Sequence, residues 1–236
     1  PGVLPKLQWI HTMSAGVDHL PHEVLARHDP PITLTHNQGV SDPSLAEFAM
    51  LGILHFSKHV AKMAQQYEDR VWEGFHTREL KGATIGVVGL GSIGCQVART
   101  AVQGFGMSAL GYRRSSAEPP RGMADIVTMV SPGQPGLRKL LAQSDYVVLA
   151  LPQTADTVHL LGAEELALMK PNAVLVNIGR GSCLNSVALA AALQAGALGG
   201  AALDVVEVEP LEARHPLWSV GADKLLLSPH TMDLCA

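Results

Sequence analysis

The sequence predicts an α/β protein in which helices cover both faces of a parallel sheet, and three observations support this class. Short apolar stretches of strand length alternate with segments of helical periodicity along most of the chain. Aromatic residues make up only 4% of the sequence, so alanine, leucine, valine and glycine must build the interior, as they do where helices pack on parallel strands. A glycine-rich turn near the middle of the chain joins an apolar stretch directly to a helical segment.

Size and charge narrow the possible functions. A chain of 236 residues is long enough for one large or two small domains with a sizeable core. The net charge of −4 gives no electrostatic footprint for nucleic acid or an anionic membrane, so we expect neither as a partner. The cysteines are scattered without metal-ligand spacing, which predicts reduced thiols, no metal site and a cytoplasmic location. The most apolar window, residues 187–206, contains Gln194 and Asp204 and fits a helix and a strand better than a membrane span.

The glycine turn follows an apolar strand over residues 83–88 and opens a helix over residues 92–103. In this context the pattern G-x-G-x-x-G predicts a dinucleotide site. The first glycine permits the tight turn, the second lets a pyrophosphate approach the backbone, and the third lets the helix pack close to the strand. The helix offers free N–H groups and its positive dipole end to the phosphates. The expected cofactor contacts are Gly89, Gly91, Ser92, Ile93 and Gly94. The simpler alternative is a glycine-rich turn in an ordinary α/β protein.

The first part of the chain contains too few elements for a domain of its own. Residues 7–13 and 32–36 have strand composition, and a helix ending near Arg27 lies between them. Two strands and one helix cannot close a sheet core. We therefore assign residues 1–43 to a partial domain that lacks a closed core. Residues 44–66 carry apolar residues at helical spacing, and we assign them to a long helix connecting this part to the rest.

Residues 67–236 are predicted to form a Rossmann-type doubly wound parallel sheet, because strands and helices alternate regularly there. The expected strands are residues 83–88, 107–112, 126–130, 145–151, 173–177, 201–206 and 224–227. The expected helices are residues 92–103, 137–142, 164–169 and 185–194. Asn185 is of a type that caps a helix N-terminus, and Gly196 is of the type that ends a helix.

Three charged residues are expected at the edge of the sheet where ligands bind. Ligands of such sheets bind outside the carboxyl ends of the strands, and Arg180, Glu209 and His230 each follow a predicted strand. An arginine can grip a carboxylate or polarise a carbonyl, and a histidine can deliver a proton while a nearby carboxylate favours its charged form. Beside a nicotinamide, this set is what carbonyl reduction needs. Taken singly, each residue has a simpler explanation: an ion-pair partner, a solvated loop residue or one of eleven histidines.

Longer segments around these residues carry a resemblance to a known family. The sequence resembles the D-isomer-specific 2-hydroxyacid dehydrogenases over nearly its full length. So many ordered matches are far more specific than the glycine turn alone. The matching segments are residues 14–18, 45–47, 89–94, 144–148, 151–154, 176–181, 203–211, 215–217 and 228–230.

The resemblance implies an oxidoreductase that transfers a hydride between NAD(P)H and a small 2-oxo acid such as glyoxylate or hydroxypyruvate. It implies that Arg180 orients the substrate, that His230 is the acid and base, and that Glu209 tunes this histidine. The backbone amides of Ala15, Gly16 and Val17 would hold the substrate carboxylate. The nicotinamide side would be lined by Leu151, Pro152, Thr154, Ile178 and Asp204. The resemblance also implies a homodimer, with residues 1–43 as part of a flavodoxin-like substrate domain.

The chain departs from the family pattern in three ways. Family members carry a longer substrate domain before the position of Pro1 and further helical sequence after His230, so we expect a fragment truncated at both ends. Met232 occupies a position that is usually glycine, which leaves the local loop geometry open. Arg113 and Arg114 follow the second strand of the glycine-turn domain, where an acidic residue often binds the ribose hydroxyls. Two guanidinium groups can clamp a 2′-phosphate instead, and this predicts NADP as the preferred cofactor over NAD.

Two other functions compete with this prediction. One is a dinucleotide-sensing regulatory or scaffold protein that has kept the fold and lost turnover. The presence of Arg180, Glu209 and His230 together argues against it. The other is a formate dehydrogenase, which resembles the chain but lacks a glutamate at the position of Glu209.

Overall fold

The computed structural model describes residues 6–18 and 20–233. Among them, seven parallel strands form one sheet. The strands are β3 (Thr84–Val88), β4 (Ser108–Tyr112), β5 (Val127–Met129), β6 (Tyr146–Leu149), β7 (Val174–Asn177), β8 (Gly200–Leu203) and β9 (Leu225–Leu227). Their order across the sheet is β5-β4-β3-β6-β7-β8-β9. The chain enters at β3, builds outward to β5 and returns to pair β6 with β3. This reversal between β3 and β6 is the topological switch point of a doubly wound sheet, and the predicted Rossmann-type fold is confirmed.

Helices cover both faces of the sheet, as the predicted class requires. One face packs against α2 (Asp42–Ser57) and α4 (Ser92–Arg99). The other face packs against α5 (Gln134–Gln143), α6 (Ala163–Ala167) and α7 (Ser186–Gln194). Strands β6, β7 and β8 are buried along their whole length, which explains why their sequences are continuous apolar runs.

The predicted connecting helix is two helices in the structure. Helix α2 ends at Ser57, and α3 (Val60–Glu68) begins after His59, whose φ of 55° lies in the left-handed region. The His59 ring packs edge-on against Phe75, and the Nζ of Lys58 donates to the carbonyl of Arg78 at 2.7 Å. These contacts hold the chain at the break. Helix α2 itself packs on the sheet: a Cβ at Gly52 would lie 2.5 Å from the Cβ of Ala202.

The first segment of the chain forms a small parallel pair. Strand β1 (Trp9–Thr12) pairs with β2 (Thr33–His36), and α1 (His22–Arg27) lies between them in sequence. Among the described residues of 6–43, Leu25 is the one buried side chain. Over that described part, the segment therefore has no closed apolar core of its own.

Candidate active site

A cleft of about 630 Å³ opens at the carboxyl ends of the strands, between the segment after β1 and the large sheet. Its walls combine backbone from the first part of the chain with charged side chains from the second. The predicted site residues that line it are Ala15, Gly16, Gly91, Ser92, Ile93, Leu151, Pro152, Ile178, Arg180, Asp204, Glu209 and His230. Within the described part of the chain, Val17, Gly89, Gly94, Arg113, Arg114 and Thr154 are not among the lining residues.

The glycine turn has the shape that its sequence predicts. Gly89 has a φ of 101°, and a Cβ at Gly94 would lie 1.9 Å from the carbonyl oxygen of Gly89. These two glycines determine the backbone conformation of the turn, and neither lines the cleft. A Cβ at Gly91 would meet open space. Gly91 directly precedes α4, and Ser92 and Ile93 are the first two residues of this helix. The backbone is therefore accessible at the point where a pyrophosphate would approach.

Arg180 is held by a turn at the end of β7. The side chain of Asn177 accepts from the N–H of Gly179 at 3.1 Å and donates to the carbonyl of Arg180 at 3.1 Å. The Arg180 guanidinium crosses the cleft to Asp18, donating from Nε at 3.0 Å and from Nη2 at 2.9 Å, both to Oδ1. Its Nη1 donates to the carbonyl of Gly179 at 3.0 Å. The arginine thus joins the two walls.

Glu209 and His230 form a direct pair. The Nδ1 of His230 lies 2.7 Å from Oε2 of Glu209, and Oε1 of Glu209 accepts from the N–H of Val206 at 3.1 Å. The backbone holding this histidine has a φ of 55°, and its N–H donates to the carbonyl of Asp204 at 2.9 Å. Because Glu209 occupies Nδ1, Nε2 is the ring nitrogen left to exchange a proton with a substrate.

Asp204 organises the loop that carries His230. Its buried carboxylate accepts at Oδ1 from the hydroxyl of Ser228 at 2.7 Å and from the N–H of Thr231 at 3.1 Å. Met232 follows, and its carbonyl accepts from the hydroxyl of Ser44 at 2.6 Å. The loop is therefore tied to β8 on one side and to the N-terminus of α2 on the other.

The loop after β6 places Leu151 and Pro152 in the cleft, whereas Thr154 forms hydrogen bonds within the loop. The hydroxyl of Thr157 donates to the carbonyl of Pro152 at 2.8 Å and accepts from the N–H of Thr154 at 2.8 Å. The hydroxyls of Thr154 and Thr157 lie 3.1 Å apart. Thr154 therefore shapes the wall that its two neighbours present.

The two arginines after β4 differ in their surroundings. Arg114 is exposed and forms a salt bridge with the exposed carboxylate of Asp156. The charge of Arg113 acts on Cys95, which lies in α4. Burial raises the pKa of the Cys95 thiol, and the positive charges of Arg99 and Arg113 partly offset that rise. Of the two arginines after β4, Arg113 is therefore the one whose charge lowers the pKa of a thiol in α4.

Sequence reasoning missed two acidic residues at the cleft. Asp18 was visible only as the last residue of a resembling segment, and nothing in that segment showed that it would meet Arg180. Asp42 lies at the start of α2, where burial raises the pKa of its carboxyl and a hydrogen bond with Ser92 opposes that rise. Both contacts join distant parts of the chain, so no local sequence pattern reports them.

A second polar cluster lies around Glu207, two residues before Glu209. The Nε2 of His159 and the hydroxyl of Ser186 both contact its carboxylate, the hydroxyl at 3.3 Å. Nε2 of His215 lies 3.0 Å from the same hydroxyl, and Nδ1 of His215 accepts from the N–H of Leu217 at 3.2 Å. The cluster fastens the loop between β8 and Glu209 to three other segments.

Candidate membrane-spanning helices and candidate metal sites are both absent from the described residues. No helix there combines the length and the apolar character needed to cross a bilayer. No group of three or more histidine, cysteine, aspartate or glutamate side chains there is arranged to hold a metal ion.

The reversal of the sheet with a glycine turn beside it defines a Rossmann dinucleotide-binding protein. Comparison with known proteins identifies its family. The profile described as "D-isomer specific 2-hydroxyacid dehydrogenase, NAD binding domain" matches residues 50–231. The chain belongs to this family of oxidoreductases, and the resemblance predicted from its motifs is confirmed.

Individual relatives agree with this assignment. The chain is 34% identical over 235 residues to a glyoxylate reductase of Aeropyrum pernix, covering 96% of this chain and 67% of the relative. Among solved structures, it is similar to a D-lactate dehydrogenase from Aquifex aeolicus complexed with NAD and lactic acid, at 28% identity and a TM-score of 0.84, covering 97% of this chain and 70% of that one. It is also similar to a family member from Xanthobacter autotrophicus in complex with NADPH and MES, at 31% identity and a TM-score of 0.80, covering 97% and 69%. The chain spans about two thirds of the length of the curated relatives it matches.

Proposed function

We propose that the protein transfers a hydride between NAD(P)H and a small 2-oxo acid, with glyoxylate and hydroxypyruvate as the first substrates to test. The observation that carries the proposal is the Glu209–His230 pair facing Arg180 in the same cleft as the glycine turn. The similarity to glyoxylate reductases supports the substrate class.

The residues of the cleft fit a nicotinamide dinucleotide. Gly91, Ser92 and Ile93 would hold the pyrophosphate on backbone N–H groups, and Leu151, Pro152, Ile178 and Asp204 would line the nicotinamide. When bound, the dinucleotide supplies or accepts the hydride at the carbonyl carbon.

The charged side chains of the chain supply the rest of the reaction. The Arg180 guanidinium orients the substrate through its carboxylate, together with backbone amides near Gly16. In reduction, His230 donates a proton from Nε2 to the carbonyl oxygen, which becomes the hydroxyl of the product. Glu209 holds Nδ1 and stabilises the positive charge of the imidazolium before the proton is given up. In oxidation the proton returns to the same nitrogen.

The test of this function is oxidation of NADPH or NADH in the presence of glyoxylate or hydroxypyruvate. We expect His230→Asn to lower kcat by about a hundred-fold or more while the protein still binds the dinucleotide, because a positioned acid and base contributes about that much. Dinucleotide binding by the parent without turnover of any 2-oxo acid would favour a sensor or scaffold.

We infer a preference for NADP from the two arginines after β4. The charge of Arg113 acts on Cys95 in α4, whereas Arg114 is already paired with Asp156, so Arg113 is the main candidate for a 2′-phosphate contact. A lost charge-assisted contact corresponds to about ten- to a hundred-fold. We therefore expect the ratio of kcat/KM for NADPH to that for NADH to fall by this factor in Arg113→Ala, and less in Arg114→Ala. A parent that prefers NADH would contradict the assignment.

We also propose a homodimer, formed through the exposed apolar side of α3. Val60, Met63 and Tyr67 lie on one side of this helix at 41%, 45% and 82% exposure, and Val71 and Trp72 continue the exposed surface. Sedimentation velocity should show a dimer for the parent and a monomer for a Met63→Glu, Tyr67→Glu double variant. Val158→Glu, at an exposed valine elsewhere, is the matched control and should remain dimeric.

We propose a cytoplasmic location, because the cysteines of the described residues are free thiols. Cys95 and Cys183 are free cysteines within the described residues. Free thiols of this kind are usual where the compartment is reducing. Fractionation of cells that produce the full-length protein, with a periplasmic or organellar marker as control, tests this location.

A further inference from the structure

We propose that Asp18 is a positioning residue for the reaction: it fixes the guanidinium of Arg180 so that the free edge of this group receives the carboxylate of a 2-oxo acid. The inference rests on the proposed function of the cleft. The contact is a salt bridge between a loop of the first segment and a turn after β7, so it joins these two parts of the chain.

The hydrogen bonds divide the guanidinium into a used side and a free edge. A guanidinium has five N–H donors in a planar fork. Nε and Nη2 both donate to Oδ1 of Asp18, and Nη1 donates to the carbonyl of Gly179. Among the described residues, these bonds use three N–H groups and leave one on each terminal nitrogen. We take these two as the free edge of the group, because N–H groups on the two terminal nitrogens can bind a carboxylate through two parallel bonds.

The free edge lies next to the backbone expected to hold the substrate. A Cβ at Gly16 would lie 1.4 Å from Nη2 of Arg180, so this nitrogen rests directly on the glycine. Gly16 also lines the cleft, between Ala15 and the segment that leads to Asp18. The same short segment thus carries the backbone of the carboxylate site and the side chain that orients the arginine.

Fixing matters because an arginine side chain has many rotamers. A free guanidinium must be ordered when the substrate binds, and that ordering lowers affinity. A guanidinium already held by Asp18 and Gly179 is ordered in advance. Asp18 could also lower the affinity for the substrate, because its carboxylate competes with the substrate carboxylate for the guanidinium of Arg180. The two roles predict opposite changes when Asp18 is removed, so one measurement separates them.

The experiment compares Asp18→Ala, Asp18→Asn and the parent, each saturated with NADPH and titrated with oxamate, an analogue of a 2-oxo acid that is not reduced. We expect Asp18→Ala to weaken oxamate binding by about ten- to a hundred-fold and to raise the KM for glyoxylate similarly. The affinity for NADPH and the kcat should change little. Asp18→Asn keeps an acceptor oxygen and should restore part of the affinity. Glu23→Ala is the matched control, because it removes a carboxylate that pairs with Arg27 in the same segment.

A second measurement follows Arg180 itself, without any substrate. The Nε–H of Arg180 should give a slowly exchanging NMR signal in the parent and in Asp18→Asn, and that signal should be lost in Asp18→Ala. Oxamate binding that is unchanged or tighter in Asp18→Ala would overturn the inference and leave the proposed function intact. A parent that binds no oxamate would overturn the proposed function and this inference with it.

Discussion

The two sheets of the molecule are both parallel, yet they differ in almost every other respect. In the seven-stranded sheet, β6, β7 and β8 are buried along their whole length. In the pair formed by β1 and β2, Trp9 is 60% exposed, and exposed positions recur along both strands. Parallel strands are stable when both faces are covered, and among the described residues the large sheet alone has that cover. The comparison shows which part is a scaffold and which part depends on neighbours.

The site lies where these two parts meet, and each contributes a different kind of group. The large sheet supplies the reactive side chains, Arg180, Glu209 and His230, each on a loop anchored by hydrogen bonds. The small segment supplies backbone near Gly16 and the carboxylate of Asp18. Movement of the small segment would change the orientation of Arg180 through Asp18, whereas Glu209 and His230 are held by residues that follow the large sheet's strands.

Hydrogen exchange gives the largest expected contrast between the two parts. The amides of Val87 and Val148 lie in the centre of the large sheet and should exchange only through global unfolding. The amides of Ile10 and Leu34 should exchange through local opening, roughly a thousand-fold faster or more. Equal protection in both sheets would contradict the view that the first segment lacks a core of its own.

The same substitution should have unequal effects on stability in the two parts. Leu140 is fully buried against the large sheet, so Leu140→Ala should cost about 2–5 kcal/mol of unfolding free energy through lost contacts and a cavity. Leu25 is buried in the first segment but belongs to neither cluster of buried side chains that covers the large sheet, so Leu25→Ala should cost less than about 1 kcal/mol of the unfolding free energy of that sheet. Urea unfolding followed by circular dichroism measures both. Similar costs would mean that the segment unfolds together with the sheet.

Two glycines, one in the cleft and one just after Arg180, should separate stability from binding. A Cβ at Gly181 would lie 1.9 Å from backbone atoms of Val206, which can yield only if two loops move apart, so Gly181→Ala should cost about 1–3 kcal/mol. A Cβ at Gly16 would lie 1.4 Å from Nη2 of Arg180 and 3.1 Å from Oδ1 of Asp18, which are side-chain atoms, so Gly16→Ala should displace this ion pair and lower the unfolding free energy by less than Gly181→Ala does. Gly16→Ala should instead weaken oxamate binding. Thermal unfolding and oxamate titration of both variants test this; the reverse pattern would refute it.

Acid should weaken the large sheet through Asp145, with the smallest effect of the four. Burial raises the pKa of Asp145, but hydrogen bonds from Lys170 and the N–H of Thr84, together with the positive charges of Lys170 and Arg78, outweigh it, so the pKa is lowered from 3.8. A lowered pKa in the folded state contributes stability above pH 3.8, and this contribution is lost as the pH falls through the folded-state value.

The measurement is urea unfolding of the parent and Asp145→Asn at neutral pH and at about pH 3. The variant should be less stable at neutral pH, and the difference should shrink in acid. Glu23→Gln, in the exposed pair with Arg27, is the control and should differ from the parent at neither pH. A constant difference for Asp145→Asn would remove its charge from the explanation.

The sequence was most informative where apolar runs are bounded by turn residues. Residues 173–177 were predicted as a strand and the structure has Val174–Asn177, because this run is apolar as far as Asn177 and begins after a turn. Asn185 caps α7 as expected, accepting from the N–H of Ala188 at 2.9 Å. The break at His59 was not predictable, since no glycine or proline marks it and the cause is contact with residues far along the chain.

The candidate site shows the same division. Topology alone led us to expect Arg180, Glu209 and His230 at one edge of the sheet, and the structure places all three in one cleft. Their roles in turnover stay predictions. Asp18 could not be found in this way, because its position depends on how an irregular loop crosses from one sheet to the other.

The cluster around Glu207 has a built-in direction. The N–H of Leu217 points at Nδ1 of His215, so that nitrogen carries no proton and the neutral ring carries its proton on Nε2. His215 must then donate to Ser186, and the hydroxyl of Ser186 must donate onward to Glu207. A single peptide group thus sets the order of protons along a line of side chains, and that line ends at Glu207, in the loop that leads to Glu209.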